Sequence, residues 1–348
     1  MSTVDSNLPL EPDDIADLIA MIRESADKLQ ADRIDRGDLK ILSRTIRELR
    51  YAFKVFAKYR GRRKATIFGS ARTPSDAPAY LQAMELGKAM ADREWLVVTG
   101  AASGIMEAGH RGAGRENSMG LNIMLPFEQS SNEIIRDDPK LVNMKYFFTR
   151  KLMFVKEADA VVCLPGGFGT LDEGLEVLTL LQTGKRDIVP VILLDEPGGT
   201  YWKDFHAFVD KHLWGERMIS EVDFRLYKVF DTVDETVDEI MQFYRVFHSM
   251  RFVRKELVFR LNHALPEETL EEINRDFTDL LAKGAFTQRE AFKEEADEFR
   301  LTGLPRLAFQ FNRRNYGRLR VLIDLINTAR PPAIEEAKQH VPPLNPEA

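Results

Sequence analysis

Between about residues 61 and 247, short apolar runs alternate with amphipathic helical stretches, and glycine-rich loops fall where a run gives way to a helix. These two observations predict an α/β protein with a Rossmann-like, doubly wound parallel sheet, because runs this short and this apolar suit strands covered on both faces. Helical periodicity outside that region predicts a helical extension at each end. The expected organisation is an N-terminal helical segment over 1–60, the α/β domain over 61–247, a C-terminal helical extension over 248–330 and an unstructured tail over 331–348.

The elements follow in order. Ile15, Leu18, Ile19 and Ile22, then Ile41, Ile46, Leu49, Phe53 and Phe56, recur at helical spacing over residues 12–60 and are expected to pack outside the sheet. The apolar runs are residues 65–68, 95–98, 120–125, 160–164 and 189–194. Between and after them, helices are expected over 76–92, 103–115, 149–158, 170–183 (stopping at Gly184), 202–213 and 233–247. Beyond residue 248 the pattern reads as helices over 249–262, 267–283, 288–299 and 308–327, followed by a proline-rich, polar tail. No internal repeat is evident.

With 44% hydrophobic and 30% charged positions in 348 residues, the chain has enough apolar material for one large core or two modest ones. Its formal net charge of -6 speaks against a general binder of nucleic-acid polymers, which carries a basic excess to displace counterions. The single cysteine, Cys163, lies inside an apolar run, so it reads as a packing residue, and a reducing compartment is expected. The first fourteen residues lack the pattern of a signal peptide and no apolar run approaches membrane-spanning length, which together suggest a cytoplasmic protein.

In open parallel sheets, ligands bind beyond the carboxyl ends of the strands, and three loops fall there. The first, Phe68-Gly69-Ser70-Ala71-Arg72, offers a glycine, a hydroxyl and a guanidinium, as a structural turn or as an anion contact. The second runs from Thr99 to Glu107 and includes Gly100, Ser103, Gly104 and Met106. It leads into a helix N-terminus, which favours a phosphate, but its glycine spacing is not that of a dinucleotide site, and Ser103 also suits a simple N-cap. The third is Pro165-Gly166-Gly167-Phe168-Gly169-Thr170-Leu171-Asp172-Glu173. Such a turn can wrap N–H groups around an anion. It is not an ATP-binding P-loop, because no lysine follows the glycines. Thr170 and Glu173 also fit a capping box, in which Glu173 would only bond the backbone at the helix start.

Upstream, Arg150 and Lys151 are expected in the first turn of a helix, where the dipole disfavours cations and calls for an anion nearby. The neighbouring Phe147 and Phe148 read as core. Tyr146, Phe148, Met106 and Asn122 are candidates for the wall of a base pocket.

Assembled, these residues resemble the LOG (lonely guy) family, whose members are nucleotide phosphoribohydrolases once labelled lysine decarboxylases. The resemblance runs from about Lys64 to Phe247 and rests on Pro165–Glu173, which fits the pattern Pro-Gly-Gly-x-Gly-Thr-x-x-Glu, and on the Arg150-Lys151 pair. It implies catalytic roles for Glu173 and Arg150. The glycine-rich loops (Gly69, Ser70, Gly100, Ser103, Gly104, Met106, Gly166, Gly167, Gly169, Thr170), with Lys151, would bind the substrate and its 5'-phosphate. The implied reaction splits a nucleoside 5'-monophosphate, AMP-like nucleotides among them, into free base and ribose 5-phosphate without metal or organic cofactor, in a homodimer or larger homo-oligomer. Ala101 and Ala102 depart from the glycines common in the family's second loop, and alanine restricts the backbone there. Two other readings stand beside hydrolysis. One is a non-catalytic nucleotide or cofactor carrier on the same fold. The other is a pyridoxal-phosphate decarboxylase using Lys151 or Lys156.

The C-terminal extension carries Arg251, Arg254, Lys255, Arg260, Arg306, Arg313, Arg314, Arg318 and Arg320. Solvated helix faces and internal ion pairs explain most of these charges, with Glu267, Glu268, Glu271 and Glu272 as ready partners, and an effector site is the alternative.

Overall fold

The computed structural model describes residues 15–125 and 131–330, so the expected tail over 331–348 lies outside the described residues. The chain divides into two compact units, Met1–Met241 and Gln242–Ala348. Among the described residues no helix is long and apolar enough to cross a membrane.

The first unit opens with two helices, α1 (Ala16–Ala31) and α2 (Arg36–Ala57). Helix α1 buries none of its residues, whereas α2 buries Glu48, Ala52, Val55 and Phe56. Seven parallel strands follow: β1 (Lys64–Phe68), β2 (Leu96–Thr99), β3 (Ser118–Ile123), β4 (Leu141–Met144), β5 (Ala160–Cys163), β6 (Val191–Leu194) and β7 (Lys228–Phe230). They are ordered β4-β3-β2-β1-β5-β6-β7. Helices α3 (Pro78–Ala91), α4 (Ile105–Asn117), α5 (Phe147–Glu157), α6 (Phe168–Gln182) and α7 (Tyr201–Phe208) lie between them in the chain, and α8 (Val233–Phe243) follows β7.

The doubly wound parallel sheet is therefore as expected. β1, β2, β5 and β6 are buried along their whole length, the burial that their apolar sequences require. The edge strands β4 and β7 were not anticipated. Each is short and less than fully buried, so neither carries the continuous apolar signal of the centre. Where α3 crosses α4, Gly87 and Gly112 let the backbones touch, since a Cβ at Gly112 would lie 1.8 Å from the Met84 carbonyl oxygen.

The second unit overturns the expectation of a helical extension. Residues 249–262, expected to be a helix, form a hairpin of β8 (Phe247–Val253) and β9 (Glu256–Leu261). After α9 (Glu267–Asp276) come β10 (Leu281–Arg289), a 3-10 segment over Lys293–Leu301, β11 (Arg306–Phe311) and α10 (Tyr316–Ile326). Their antiparallel sheet is ordered β10-β11-β9-β8. The hairpin turn between β8 and β9 is made by Arg254 in the left-handed region (φ 54°), a position where glycine or asparagine would have signalled a turn.

This unit is also an internal repeat. The strand-strand-helix motif β8-β9-α9 recurs as β10-β11-α10, with Leu257-Val258-Phe259-Arg260-Leu261-Asn262 matching Leu307-Ala308-Phe309-Gln310-Phe311-Asn312. The hairpins share their register, Phe247 opposite Leu261 and Leu281 opposite Phe311, and both shift register directly afterwards. Asn262 N–H bonds the Val246 carbonyl at 2.7 Å, and Asn312 N–H bonds the Leu280 carbonyl at 2.9 Å. Val258 pairs with its own counterpart, Ala308, which places a local two-fold axis between β9 and β11. Phe259 and Phe309 meet edge to face, with centroids 5.4 Å apart.

The arginines of this unit are held mainly by internal ion pairs. Arg260 and Arg306, directly opposite on β9 and β11, both bind Glu295, while Arg251 binds Glu298, Arg318 binds Asp279 and Arg320 binds Asp324.

Candidate active site

β1 and β5 are neighbours whose connections run to opposite sides of the sheet, toward β2 and toward β6, so the point where strand order reverses lies between them. The first and third loops leave these two strands and touch. The Ser70 N–H donates to the Pro165 carbonyl at 3.2 Å, and a Cβ on Gly166 would sit 3.1 Å from Ser70 N and 2.1 Å from Thr170 Oγ1. Only glycine permits that approach. The second loop joins through Ile105 N–H, which donates to the Ser70 carbonyl at 3.0 Å, and Ser103 Oγ, which donates to the Ala71 carbonyl at 2.8 Å. Gly104 is the left-handed residue (φ 64°) at the N-cap of α4. Ser103 therefore fastens one loop to the other and is not the cap.

Gly69 packs against the Ile105 side chain. Gly100 faces Met106 and Arg150, whose sulfur and guanidinium nitrogens lie 2.8 Å and 3.8 Å from where its Cβ would be. Gly167 and Gly169 are exposed at the rim, and beyond the adjoining stretch of chain a Cβ on either would meet no atom of the described residues within 4 Å.

Arg150 is the fourth residue of α5, which begins two residues earlier than expected. The anions that meet the Arg150-Lys151 pair are Glu173 beside Arg150 and Asp172 and Glu176 at Lys151, while the start of the helix itself is held by Glu48 of α2. Its carboxylate accepts from Lys145 N–H at 2.9 Å, Thr149 Oγ1 at 2.8 Å and Arg44 Nε at 2.8 Å. Burial pushes the Glu48 pKa up, but those donors outweigh it and hold the group below the usual carboxylate range. A depressed acid stabilises the fold above its unfolded pKa, and that stability is lost as pH falls through its folded pKa. Glu48→Gln is expected to cost about 1–3 kcal/mol at pH 7 and to flatten the acid limb of stability, read from urea unfolding at several pH values. An unchanged midpoint at pH 7 would show that the cap contributes nothing.

Glu173 is not a helix cap. Helix α6 starts at Phe168 with Gly167 at the N-cap, whose carbonyl accepts from Thr170 N–H at 3.0 Å and Leu171 N–H at 3.2 Å. Thr170 is thus in the third helical position and Glu173 in the sixth, where a capping box cannot form. The Glu173 carboxylate, 5% exposed, lies 3.9 Å from an Arg150 guanidinium that is 13% exposed. At that distance the charges attract without a hydrogen bond, leaving bonding capacity on both groups. Arg150 Nε has no hydrogen-bond partner among the described residues. Burial raises the Glu173 pKa to about 7, against the opposing pull of Arg150 and Lys151.

Lys151 does not have its charge free. Its ammonium lies 2.8 Å from Asp172 and 2.7 Å from Glu176, tying α5 to α6. The assignment of Lys151 to the phosphate is weakened accordingly. For the decarboxylase reading, Lys151 is engaged in this way and Lys156 lies near Glu157 and over the Phe53 ring. Cys163 is fully buried, and burial pushes its thiol up to about 12, an inert packing residue as expected.

Ala101 takes the left-handed conformation (φ 61°) despite its side chain. Its N–H donates to Thr99 Oγ1 at 3.0 Å and its carbonyl accepts from Asn132 N–H at 2.8 Å. Behind them the fully buried His110 contacts Thr99 Oγ1 and the Met119 carbonyl through Nε2, and Asn132 Nδ2 through Nδ1. Burial lowers the His110 pKa to about 4, so the ring is neutral at physiological pH. Its carbonyl partner requires the proton on Nε2, and Nδ1 then accepts from Asn132. This network, with Glu48, had no motif in the sequence, because its members lie far apart along the chain.

Of the candidate wall residues, Met106 stands beside Gly100 and Arg150. Tyr146 and Phe148 stack on each other at 5.3 Å where α5 begins. Phe147 and Phe148 are exposed, not core. Asn122 bonds Asn143 on the neighbouring strand at 2.8 Å.

Comparison with known proteins matches residues 99–240 to a family described as "Possible lysine decarboxylase". A cytokinin riboside 5'-monophosphate phosphoribohydrolase of Arabidopsis thaliana is 31% identical over 172 residues, which cover 48% of this chain and 76% of that protein. The chain belongs to the LOG family. A second Arabidopsis phosphoribohydrolase of the same name is 47% identical to this LOG-family chain over 62 residues, 18% of this chain and 28% of that one. Among solved structures, the molybdenum cofactor carrier protein of Chlamydomonas reinhardtii is 20% identical over 52% of this chain and 97% of its own, with a TM-score of 0.37.

Proposed function

We propose that the protein hydrolyses the N-glycosidic bond of a nucleoside 5'-monophosphate, giving free base and ribose 5-phosphate. The observation that carries this reading is Glu173, a buried carboxyl group tuned to about 7, beside the largely buried Arg150 and in the second turn of the helix that follows the glycine-rich turn. A phosphate site alone has no use for a carboxylate in that place.

In the proposed reaction the bond between C1' and the base nitrogen breaks with its electron pair going to the base. Water supplies the oxygen that bonds to C1' and the proton that the base takes up. The ribosyl centre passes through a cationic, oxocarbenium-like state, which the Glu173 carboxylate stabilises while orienting the water. Arg150 holds the phosphate or ribose. The N–H groups of Gly167, Phe168 and Gly169, at the open rim of the turn and ahead of the first intrahelical bonds, face the 5'-phosphate. Relatives that bear the phosphoribohydrolase name support the same reading. The apolar residues Leu18, Met21 and Ile22 that α1 leaves exposed support a homo-oligomer, and a cytoplasmic location is part of the same proposal.

The test is a panel of nucleoside 5'-monophosphates with purine, pyrimidine and cytokinin-type bases, assayed for released base. Turnover of at least one, and none of the matching nucleosides lacking phosphate, is the expected result. Tight binding of nucleotides with no base released from any would establish a carrier instead.

A further inference from the structure

Tyr201 stands outside the residues assigned above, yet its hydroxyl donates to the Gly166 carbonyl at 2.6 Å, inside the glycine-rich turn. The ring is held from behind. Asp195, directly after β6, accepts from Trp202 N–H at 2.9 Å, and Asp195 N–H itself donates to the Phe230 carbonyl of β7 at 2.8 Å. Tyr201 packs edge to face on Trp202, with centroids 4.7 Å apart, and Trp202 is 1% exposed. The start of α7 is thus fixed to two strands of the sheet.

A trans peptide is planar, so the carbonyl of Gly166 and the N–H of Gly167 point in opposite directions. Anchoring the carbonyl on Tyr201 therefore aims the Gly167 N–H away from α7. The next peptide is set in the same way, because the Gly167 carbonyl accepts from Thr170 and Leu171 N–H and so turns the Phe168 N–H outward from the helix start. Two successive N–H groups are then directed, one by the helix and one by a tyrosine 35 residues away. Among the described residues no other hydrogen bond to the Gly166–Gly167 peptide holds it in that sense, and both flanking glycines would allow it to flip.

We propose that Tyr201 is a positioning residue that orients the Gly166–Gly167 peptide so that the Gly167 N–H bonds the 5'-phosphate of the substrate. This rests on the proposed function of the site. The side chain touches no reacting atom, and its effect is confined to ligands that carry a phosphate.

Tyr201→Phe removes the hydroxyl and keeps the ring. The affinities for ribose 5-phosphate and inorganic phosphate are expected to fall about 5–10-fold, the loss of roughly one hydrogen bond. KM for a nucleoside 5'-monophosphate rises in the same ratio, kcat changes less than KM, and the affinity for the corresponding nucleoside stays within about twofold. Titration calorimetry on the full-length wild-type and variant proteins, with urea unfolding alongside, reads these quantities. Equal losses for nucleoside and nucleotide, or no loss of ribose 5-phosphate affinity, would overturn the proposal. Wild-type protein that binds ribose 5-phosphate but releases no base from any nucleotide refutes the hydrolase reading and leaves the clamp to be judged by the binding data. Wild-type protein that binds neither phosphate compound overturns both.

Discussion

Glu173→Gln is expected to lower kcat by roughly 10²–10⁴-fold while the Kd for ribose 5-phosphate moves by less than about tenfold. The amide keeps the size of the side chain and loses the charge that would stabilise the cationic ribosyl centre. The structure excludes the alternative in which Glu173 serves the helix, since Gly167 is the N-cap and no side-chain cap bond is present. Because the active form is the carboxylate and burial raises its pKa to about 7, kcat/KM of the wild-type protein should climb with pH through a limb near 7 and level off above it. The glutamine variant should lack that limb. The stability consequence has the opposite sense. A carboxyl group whose pKa is raised by folding favours the fold below its unfolded pKa, and that contribution is lost as pH rises through about 7. The variant should therefore gain stability relative to wild type between pH 5 and pH 8. A variant with wild-type kcat would show that Glu173 takes no part in the chemistry.

The largest stability effect is expected in the second unit, at Glu295. This carboxylate is fully buried and receives Arg260 Nε at 2.9 Å, Arg306 Nε at 3.1 Å and Phe292 N–H at 3.1 Å. Burial pushes its pKa up, and the donors, Arg306 foremost, bring it below the usual carboxylate range. Arg260 and Arg306 are register partners on adjacent strands, one 3% and the other 0% exposed. Without Glu295, Arg260 retains the partly exposed Glu298, whereas the fully buried Arg306 retains the Leu301 and Leu304 carbonyls and, among the described residues, no opposing charge. Glu295→Ala should cost about 3–5 kcal/mol, the penalty of stranding buried charge, measured as the loss in urea-unfolding free energy. A loss below about 1 kcal/mol would mean that the two arginines find other acceptors. Since the native group is the depressed, ionised form, its contribution is present at neutral pH and disappears as pH falls through its folded pKa.

What could be read from the sequence follows a physical division. The central strands were legible because a strand buried on both faces must be apolar throughout, and residues 160–163 and 191–194 are. β4 and β7 at the edges had no such demand placed on them. The second unit misled because its strands mix charge with apolar residues. Arg260 and Arg306 look like solvent-facing positions until Glu295, which is separated from one of them by 35 residues, is brought to them by the fold. The repeat shares Leu257/Leu307, Phe259/Phe309 and Asn262/Asn312 and little more in its strands, and only the common register exposes it.

At the site, local motifs were legible and long-range supports were not. The nine residues from Pro165 to Glu173 and the Arg150-Lys151 pair are contiguous, so the sequence presents them together. Which cation of the pair faces Glu173 alone depends on Asp172 and Glu176 engaging Lys151. Glu48 and Tyr201 reach the site from elements 97 and 35 residues away from the atoms they bind, and no spacing rule points to them. Ala101 shows the limit of substitution logic, since an alanine where glycine is usual takes the glycine-like conformation because buried hydrogen bonds hold it there.

The central claim is that this site breaks a glycosidic bond. Its most direct test is to incubate the purified wild-type protein with a nucleoside 5'-monophosphate at pH 8, where Glu173 is ionised, and to quantify both products. The account predicts free base and ribose 5-phosphate in equal amounts, with no release when Glu173→Gln replaces the wild type. Nucleotide that is bound and recovered intact by the wild-type protein would contradict it.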